Sequence, residues 1–411
     1  MLRPNILIEI QQQPNDVDKL RNKTYVLDFA IYGEIVSTWQ NLTDTAKLKI
    51  PRSIYVEDDT GPLVLNGKHY SNWAGQSIYG TTGNESPVFM RGDKIRISLG
   101  YFYDPMDGTA EILEMDERFV GYITKIKNKI PIEIECEDQM WKLKQIRVEN
   151  KIWPASTYTV QKMVQEMLAG TGIVVVDGVQ GSIQTTIGDF RTQNETVALV
   201  LDRLRRDGGL YSYFRGRDLL RCSGIVYYPQ DRVENVFRFQ ENILSGDQLE
   251  YTRKEDLNIA VKAHSEFIEA PDDSKRNKDG SIKTKRKRLE VMVTKDGALS
   301  KEAEKSFQGD IITIPVIGAN TLEELTRKAK EYLPKFYYTG FKGSFMTFGQ
   351  PAVKHGDGAI LQDRIIPERD GTYLVKQVST TFGLGIGIKQ KILLHLRIDK
   401  GYTMDQLNAG I

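Results

Sequence analysis

Residues 119–144, FVGYITKIKNKIPIEIECEDQMWKLK, decide the fold class. Apolar and polar side chains alternate with period two on both sides of Lys127-Asn128-Lys129, the pattern of a hairpin of half-buried antiparallel strands. The same alternation runs upstream. It recurs in TYVLDFAI (24–31), in AKLKI (46–50) before Pro51 stops it, and in KIRISL (94–99) after the turn entry Gly92-Asp93. Residues 1–150 therefore read as an all-β region.

Downstream the period changes. After Ser156, Thr157 and Thr159 as candidate caps, Val160, Met163, Val164, Met167 and Leu168 follow the spacing of a helix, which Gly170 ends. A short strand (173–176) precedes a second helix opened by Thr196, with Val197, Val200, Leu201 and Leu204 on one face and Gly208-Gly209 closing it. LYSYF and LLRCSGIVYY are strand-like, so residues 151–232 read as a small mixed α/β domain. From about residue 233 strands return, interrupted by a polar, basic stretch (271–288). A helix then starts at the Thr321/Glu324 capping box, carries Leu322, Leu325, Ala329, Tyr332 and Leu333 on one face, and meets Pro334 as its stop. Strands AVKHGDGAILQD, GTYLVKQVSTTF and IKQKILLHLRI close the pattern. The expected fold class is α+β, mainly β: a first β module (1–150), the α/β domain (151–232), a second β module (233–400) with an insertion at about 271–334, and a tail (401–411).

The two β regions share a cadence. Gly92-Asp93 precedes KIRIS and then FVGYITKI, while Gly356-Asp357 precedes AILQD and then GTYLVKQV. A true repeat would mean that one chain supplies two copies of one β module.

Composition limits the function classes. The 411 residues suggest two to three domains at about 150 residues each. With 56 Lys plus Arg against 55 Asp plus Glu, the net charge of +1 creates no global field to recruit DNA or an anionic membrane. Cys136 and Cys222 sit in apolar strand-like segments and read as small buried hydrophobes rather than a disulfide framework. The N-terminus lacks the pattern of a cleaved export signal, and no stretch approaches about 18 uninterrupted apolar residues. The expectation is a soluble chain made in the cytoplasm, without membrane insertion.

No catalytic constellation is legible. His69, His264, His355 and His395 are scattered, with no metal-ligand spacing, and His395 reads as a packed strand residue. Nucleophile-elbow, phosphate-loop and dinucleotide fingerprints are missing, and GLGIG (383–387) reads as a hairpin turn. No cofactor, metal or catalytic residue is expected. Asp104, Asp107, Glu111, Glu114, Asp116 and Glu117 read as a solvated turn region, with Glu114 and Asp116 the acid and base of an alternative cell-wall hydrolase. Lys275, Arg276, Lys278, Lys283, Lys285, Arg286, Lys287 and Arg288 read as an exposed loop. Of these, Lys283, Lys285, Arg286, Lys287 and Arg288 are candidates for a channel or nucleic-acid contact in a DNA-contacting adaptor.

The segments WQNLTDTAKLKIPR (39–52) and FVGYITKIKNKIPIEIECEDQMWKLK (119–144) resemble the first β module of baseplate hub proteins from contractile phage tails. TVALVLDRLRRDGGLYSYFRG (196–216) is similar to their small domain, and residues 354–394 resemble the closing strands of their second module. The same class includes late-control proteins and the N-terminal half of type VI secretion spike proteins. The resemblance implies two tail-tube-like antiparallel β-barrel modules per chain and a homotrimer of six quasi-equivalent modules. It implies a structural, non-enzymatic hub joining a six-fold tail tube to a three-fold spike. Implied partners are the spike, the tail tube, the tape-measure protein and baseplate wedge or sheath components, with DNA as passing cargo. The implied location is a virion baseplate or injection apparatus assembled in the bacterial cytoplasm.

Overall fold

The computed structural model describes residues 2–14, 19, 21–51, 89–103, 112–127, 129–154, 156–177, 190–216, 218–223, 233–268, 286–316 and 319–398. Strand outweighs helix, 52% against 17%, so the chain is mainly β as the alternation predicts.

Thirteen strands form one sheet. From one end its order is Ile243–Thr252, Gly340–Phe348, Gly387–Arg397, Gly371–Gly383, Tyr32–Thr38, Thr45–Ile50, Ile132–Glu137, Ile112–Lys127, Lys94–Tyr103, Leu2–Gln11 and Thr24–Leu27. Gly358–Gln362 also pairs with Gly371–Gly383, and Glu234–Arg238 with Gly358–Gln362. The resemblance implies two barrels. The described strands close neither; instead Gly371–Gly383 pairs antiparallel with Tyr32–Thr38, from Gln377 opposite Thr38 to Phe382 opposite Gly33. Alternation reports which face of a strand is buried but carries no information about its neighbour.

On the two sides of this seam the strand order repeats. Tyr32–Thr38, Thr45–Ile50, Ile132–Glu137, Ile112–Lys127, Lys94–Tyr103 and Leu2–Gln11 occupy the places taken by Ile243–Thr252, Gly340–Phe348, Gly387–Arg397, Gly371–Gly383, Gly358–Gln362 and Glu234–Arg238. Even the irregularities coincide. Ile123 faces Cys136 and Lys125 faces Glu135, while Val375 faces Leu394 and Gln377 faces Leu393, the same bulge in both regions. The register sets the equivalence residue by residue: Gly121, opposite Ile95, corresponds to Tyr373, opposite Ala359. The last strands differ in direction, since Leu2–Gln11 runs antiparallel to its neighbour and Glu234–Arg238 runs parallel.

Each region buries its own core. Ile8, Ile10, Leu48, Ile97, Ile123 and Ile134 pack in the first, and Phe237, Phe345, Leu361, Val375 and Ile392 in the second. Between them in sequence, helices Val160–Met167 and Val197–Gly208 pack with a three-stranded sheet of Tyr211–Phe214, Leu219–Ser223 and Val174–Asp177. Thr159 and Thr196 accept hydrogen bonds from the N–H groups of Lys162 and Leu199, the expected caps. Cys136 and Cys222 are both buried in cores, and burial pushes the Cys136 thiol up.

A further unit separates Ile243–Thr252 from Gly340–Phe348. Gly297–Ala298, Arg286–Thr294, Ile259–Ile268 and Asp310–Pro315 form a four-stranded sheet, covered by helix Leu322–Phe336 through Leu325, Ala329, Tyr332, Leu333 and Phe336. This is wider than the 271–334 insertion of the sequence pattern, because Ile259–Ile268 looks like any other half-buried strand yet pairs, among the described residues, only inside this unit. Pro334 does not stop the helix, which continues to Phe336. In the last turn it forfeits a single i→i−4 bond.

Across the seam Gly33 faces Phe382, and a Cβ on Gly33 would stand 2.1 Å from the Phe382 ring. Gly33→Ala is expected to destabilise by about 1–3 kcal/mol in denaturant unfolding, and Phe382→Leu in the same chain to recover part of the loss. An unchanged midpoint in the single variant would contradict this packing.

Candidate functional site: the polar junction of the sheet regions

The repeated Gly-Asp turns build two matching polar clamps. Gly92 and Gly356 adopt φ of +99° and +84°, which glycine tolerates without a Cβ clash. In the first turn, Asp93 accepts from the N–H groups of Met90 (2.7 Å) and Gln13 (2.9 Å), and pairs with Arg21 at 2.7 Å. In the second, Asp357 accepts from the N–H groups of Lys354 (2.9 Å) and Val233 (3.1 Å), and pairs with Arg215 at 2.9 Å. The backbone bonds agree as well: Gly92 and Gly356 donate to Ile123 and Val375, whose own N–H groups donate to Asp93 and Asp357. The source of the cation differs. Arg21 lies in the segment between the first two strands, whereas Arg215 follows strand Tyr211–Phe214 and so ties the α/β region to the second sheet region. Both pairs are buried, with each carboxylate 2% exposed, the setting in which an ion pair is costly to break.

The second clamp borders a cleft of about 120 Å³ where the two sheet regions and the α/β region meet, lined by Ser37, Asp44, Arg118, Asp138, His355 and Thr380 among others. Asp44 and Asp138 extend the pairing of Thr45–Ile50 with Ile132–Glu137 by one step. The Asp138 N–H donates to the Asp44 carbonyl (3.1 Å), and the Asp44 N–H donates to an Asp138 carboxylate oxygen (3.2 Å). Asp138 also accepts from the Met140 N–H (3.0 Å), at the start of the turn Met140–Leu143. Ser37 donates to the Asp44 carboxylate, as does the Thr38 N–H at 3.0 Å. Burial pushes Asp44 up to about 7 against those two bonds. Burial first, and the Asp44 charge second, push Asp138 well above the usual carboxylate range. Two adjacent carboxyls in a closed place thus keep a proton near neutrality.

Arg118 completes the junction. Its guanidinium donates to Gln390 (2.9 Å) and to the Gly349 carbonyl, and burial lowers it from the usual value. The Tyr101 hydroxyl accepts from the Gly349 N–H (3.1 Å) and donates to the Ile388 carbonyl (3.1 Å). Trp39, 1% exposed, packs edge-on to Tyr211 at 4.9 Å and to His395 at 5.3 Å, joining all three regions. Burial lowers both His355 and His395 to about 3, so both imidazoles are neutral at ordinary pH.

The residues singled out from sequence lie elsewhere. Lys283 and Lys285 fall outside the described residues, as do His69, Asp104, Asp107 and Glu111. Arg286 opens strand Arg286–Thr294, followed by the exposed Lys287 and Arg288. Arg288 pairs with Glu290 (2.7 Å) and Glu266 (3.3 Å). Glu114 is exposed, and Asp116 accepts from Gln350 at 2.7 Å across the two regions. The junction residues Asp44, Asp138, Arg118 and Arg215 were not selected, although the Gly-Asp cadence marks one clamp and the quoted hub-like motifs contain both Asp44 and Asp138. Among the described residues no cluster of His, Cys, Asp and Glu is arranged to hold a metal ion. None of their helices is long and apolar enough to cross a membrane.

No protein-family model matches the chain, and no curated protein matches it. Among solved structures, the fold is similar to a tail protein from Neisseria meningitidis MC58, at 13% identity and a TM-score of 0.55, covering 98% of this chain and 99% of that one. It is also similar to the 43 kDa tail protein of prophage MuSo2 from Shewanella oneidensis, at 9% identity and a TM-score of 0.53, again covering 98% and 99%. The chain has the fold of these two tail proteins.

Two measurements probe the junction. Asp357→Asn leaves Arg215 buried beside a neutral side chain and is expected to cost about 3–5 kcal/mol in denaturant unfolding at pH 7. The folded Asp44–Asp138 pair holds protons that the unfolded chain releases above about pH 4. Stability is therefore full below pH 4 and declines as pH rises towards 7. Asp44→Asn should lessen that decline, with Asp138, also raised by burial, keeping part of it, and the variant should gain about 1–4 kcal/mol at pH 8 relative to pH 4 against the unmodified chain. Equal pH slopes for the two proteins would rule out the buried proton.

Proposed function

We propose that this chain is a structural baseplate hub of a contractile tail or injection system. Three copies form a ring that joins a six-fold tail tube to a three-fold spike, and no bond is made or broken. The observation that carries the reading is the repeated sheet region, six strands in the same order with only the last differing in direction, fused within one chain. Three chains with two such regions each present six related surfaces in a three-fold assembly, which is what a junction between six-fold and three-fold neighbours requires. The likeness to two tail proteins, one of them of a prophage, over 98% of the chain supports the same reading.

In this reading the two β modules are residues 1–150 and 233–400, with the α/β domain (151–232) clipped between them through Arg215. Its partners are two further copies, the spike, the tube, the tape-measure protein and baseplate wedge or sheath components, with DNA only as passing cargo. Assembly takes place in the bacterial cytoplasm before the chain enters the baseplate. The bonds of Asp116 to Gln350 and of Arg288 to Glu266 and Glu290 favour structural roles for those side chains over hydrolase or DNA-adaptor chemistry.

Native mass spectrometry of the purified chain at micromolar concentration is expected to show a three-chain particle, with interfaces above roughly 2,000 Å². Addition of a separately expressed spike should shift that particle by three spike chains. A folded monomer at this concentration would overturn the hub reading.

A further inference from the structure

The seam inside the chain specifies a second seam between chains. Gly371–Gly383 has two partners along one edge: residues 371–374 pair with Gly358–Gln362, and residues 377–382 pair with Tyr32–Thr38. Its counterpart Ile112–Lys127 has only the first kind of partner. It pairs with Lys94–Tyr103 as far as Tyr122, and beyond the shared bulge the same edge, along Lys125–Lys127, has no strand beside it among the described residues. The counterpart of the missing strand is also incompletely paired. Ile243–Thr252 occupies the place of Tyr32–Thr38, ends the sheet, and pairs only with Gly340–Phe348 among the described residues.

We infer that these two bare edges pair between copies, Ile243–Thr252 of one chain lying antiparallel against Ile112–Lys127 of the next. The occupant is a second copy of this chain, because the contact already exists once inside the molecule between equivalent strands. Transferring the register of the internal seam sets Thr252 opposite Lys125, Tyr251 opposite Ile126 and Glu250 opposite Lys127. This register keeps the faces consistent: Ile126 packs on the first core and Tyr251 on the second, so the cores align across the joint. On the other face, Glu250 meets Lys127, with Lys125 on the diagonal.

The edge strand itself is unprotected. ILSGDQLEYT contains no lysine or proline, the usual guards of a free edge, and none of its residues is buried. Its Asp247 and Glu250 make it acidic, facing an edge that carries Lys125 and Lys127, the second of which also pairs with Glu133 and Glu135 on the neighbouring strand. Bulges at Ser245 confine regular pairing to Gln248–Thr252, about the span used by Tyr32–Thr38 in the internal seam. Each copy offers one edge and accepts another, a head-to-tail contact that gives a ring when the rotation closes. The inference rests on the ring reading above and adds the strands and register that close it.

The test uses the full chain carrying Lys127→Cys and Glu250→Cys together, with Lys125→Cys and Thr252→Cys as a second facing pair. The native Cys136 and Cys222 are buried and contribute little background. Mild oxidation should give a between-chain disulfide ladder on a non-reducing gel that ends at the subunit number of the native particle. A pair shifted by one facing step, Lys127→Cys with Thr252→Cys, should cross-link about ten times more slowly, since a disulfide requires Cβ atoms about 3.5–4.5 Å apart. An intact oligomer by native mass without cross-linking from either facing pair overturns the joint while leaving the ring reading in place. Faster cross-linking of the shifted pair overturns the register. A folded monomer overturns both.

Discussion

Six facing residue pairs between Tyr32–Thr38 and Gly371–Gly383 make one sheet out of two ends of the chain. The strands involved are separated by more than three hundred residues, so the loop-closure entropy of bringing them together must be offset by what the seam allows to be buried. Phe382 and Ile388, from the second region, complete the core of the first. Gly33 makes room for that crossing by leaving the space of a side chain to the Phe382 ring. The seam is thus a packing joint as well as a hydrogen-bond ladder.

Polar groups trapped by this joint explain the chemistry of the junction. Arg118, Gln390 and Tyr101 satisfy the backbone of Gly349 and neighbouring residues, which would otherwise be left without water. The two Gly-Asp clamps solve the same problem at equivalent places with arginines drawn from different parts of the chain. Asp44 and Asp138 are the exception, since burial raises both carboxyls, the Asp44 charge raises Asp138 further, and the junction becomes sensitive to pH. A group of acidic, basic and imidazole side chains in a cleft resembles an active site in composition. Here most of its members are already committed to holding regions of the fold together.

The repeat also shows what a sheet tolerates. The connection that follows Thr38 in the first region is a short turn through Trp39 to Asp44, whereas the connection that follows Thr252 in the second holds a four-stranded sheet and the helix Leu322–Phe336. Both return the chain to the same neighbouring strand position. The larger connection is accommodated because it leaves the sheet at its end strand and buries apolar faces of its own, Leu325, Ala329 and Leu333 among them.

The sequence by itself determined the local elements. Alternation marked the strands of both β regions, threonines at 159, 196 and 321 marked the helix starts, and the Gly-Asp cadence marked one repeated turn. These are legible because they depend on backbone period and on hydrogen bonds between residues a few positions apart. Only the tertiary structure decided that Gly371–Gly383 lies beside Tyr32–Thr38, that Arg215 reaches Asp357, that Asp44 meets Asp138, and that Ile259–Ile268 leaves the main sheet for its own. A strand's side chains specify its buried face, but its edge is backbone, nearly the same for every residue type. The choice of neighbour is made by the summed packing of the whole chain.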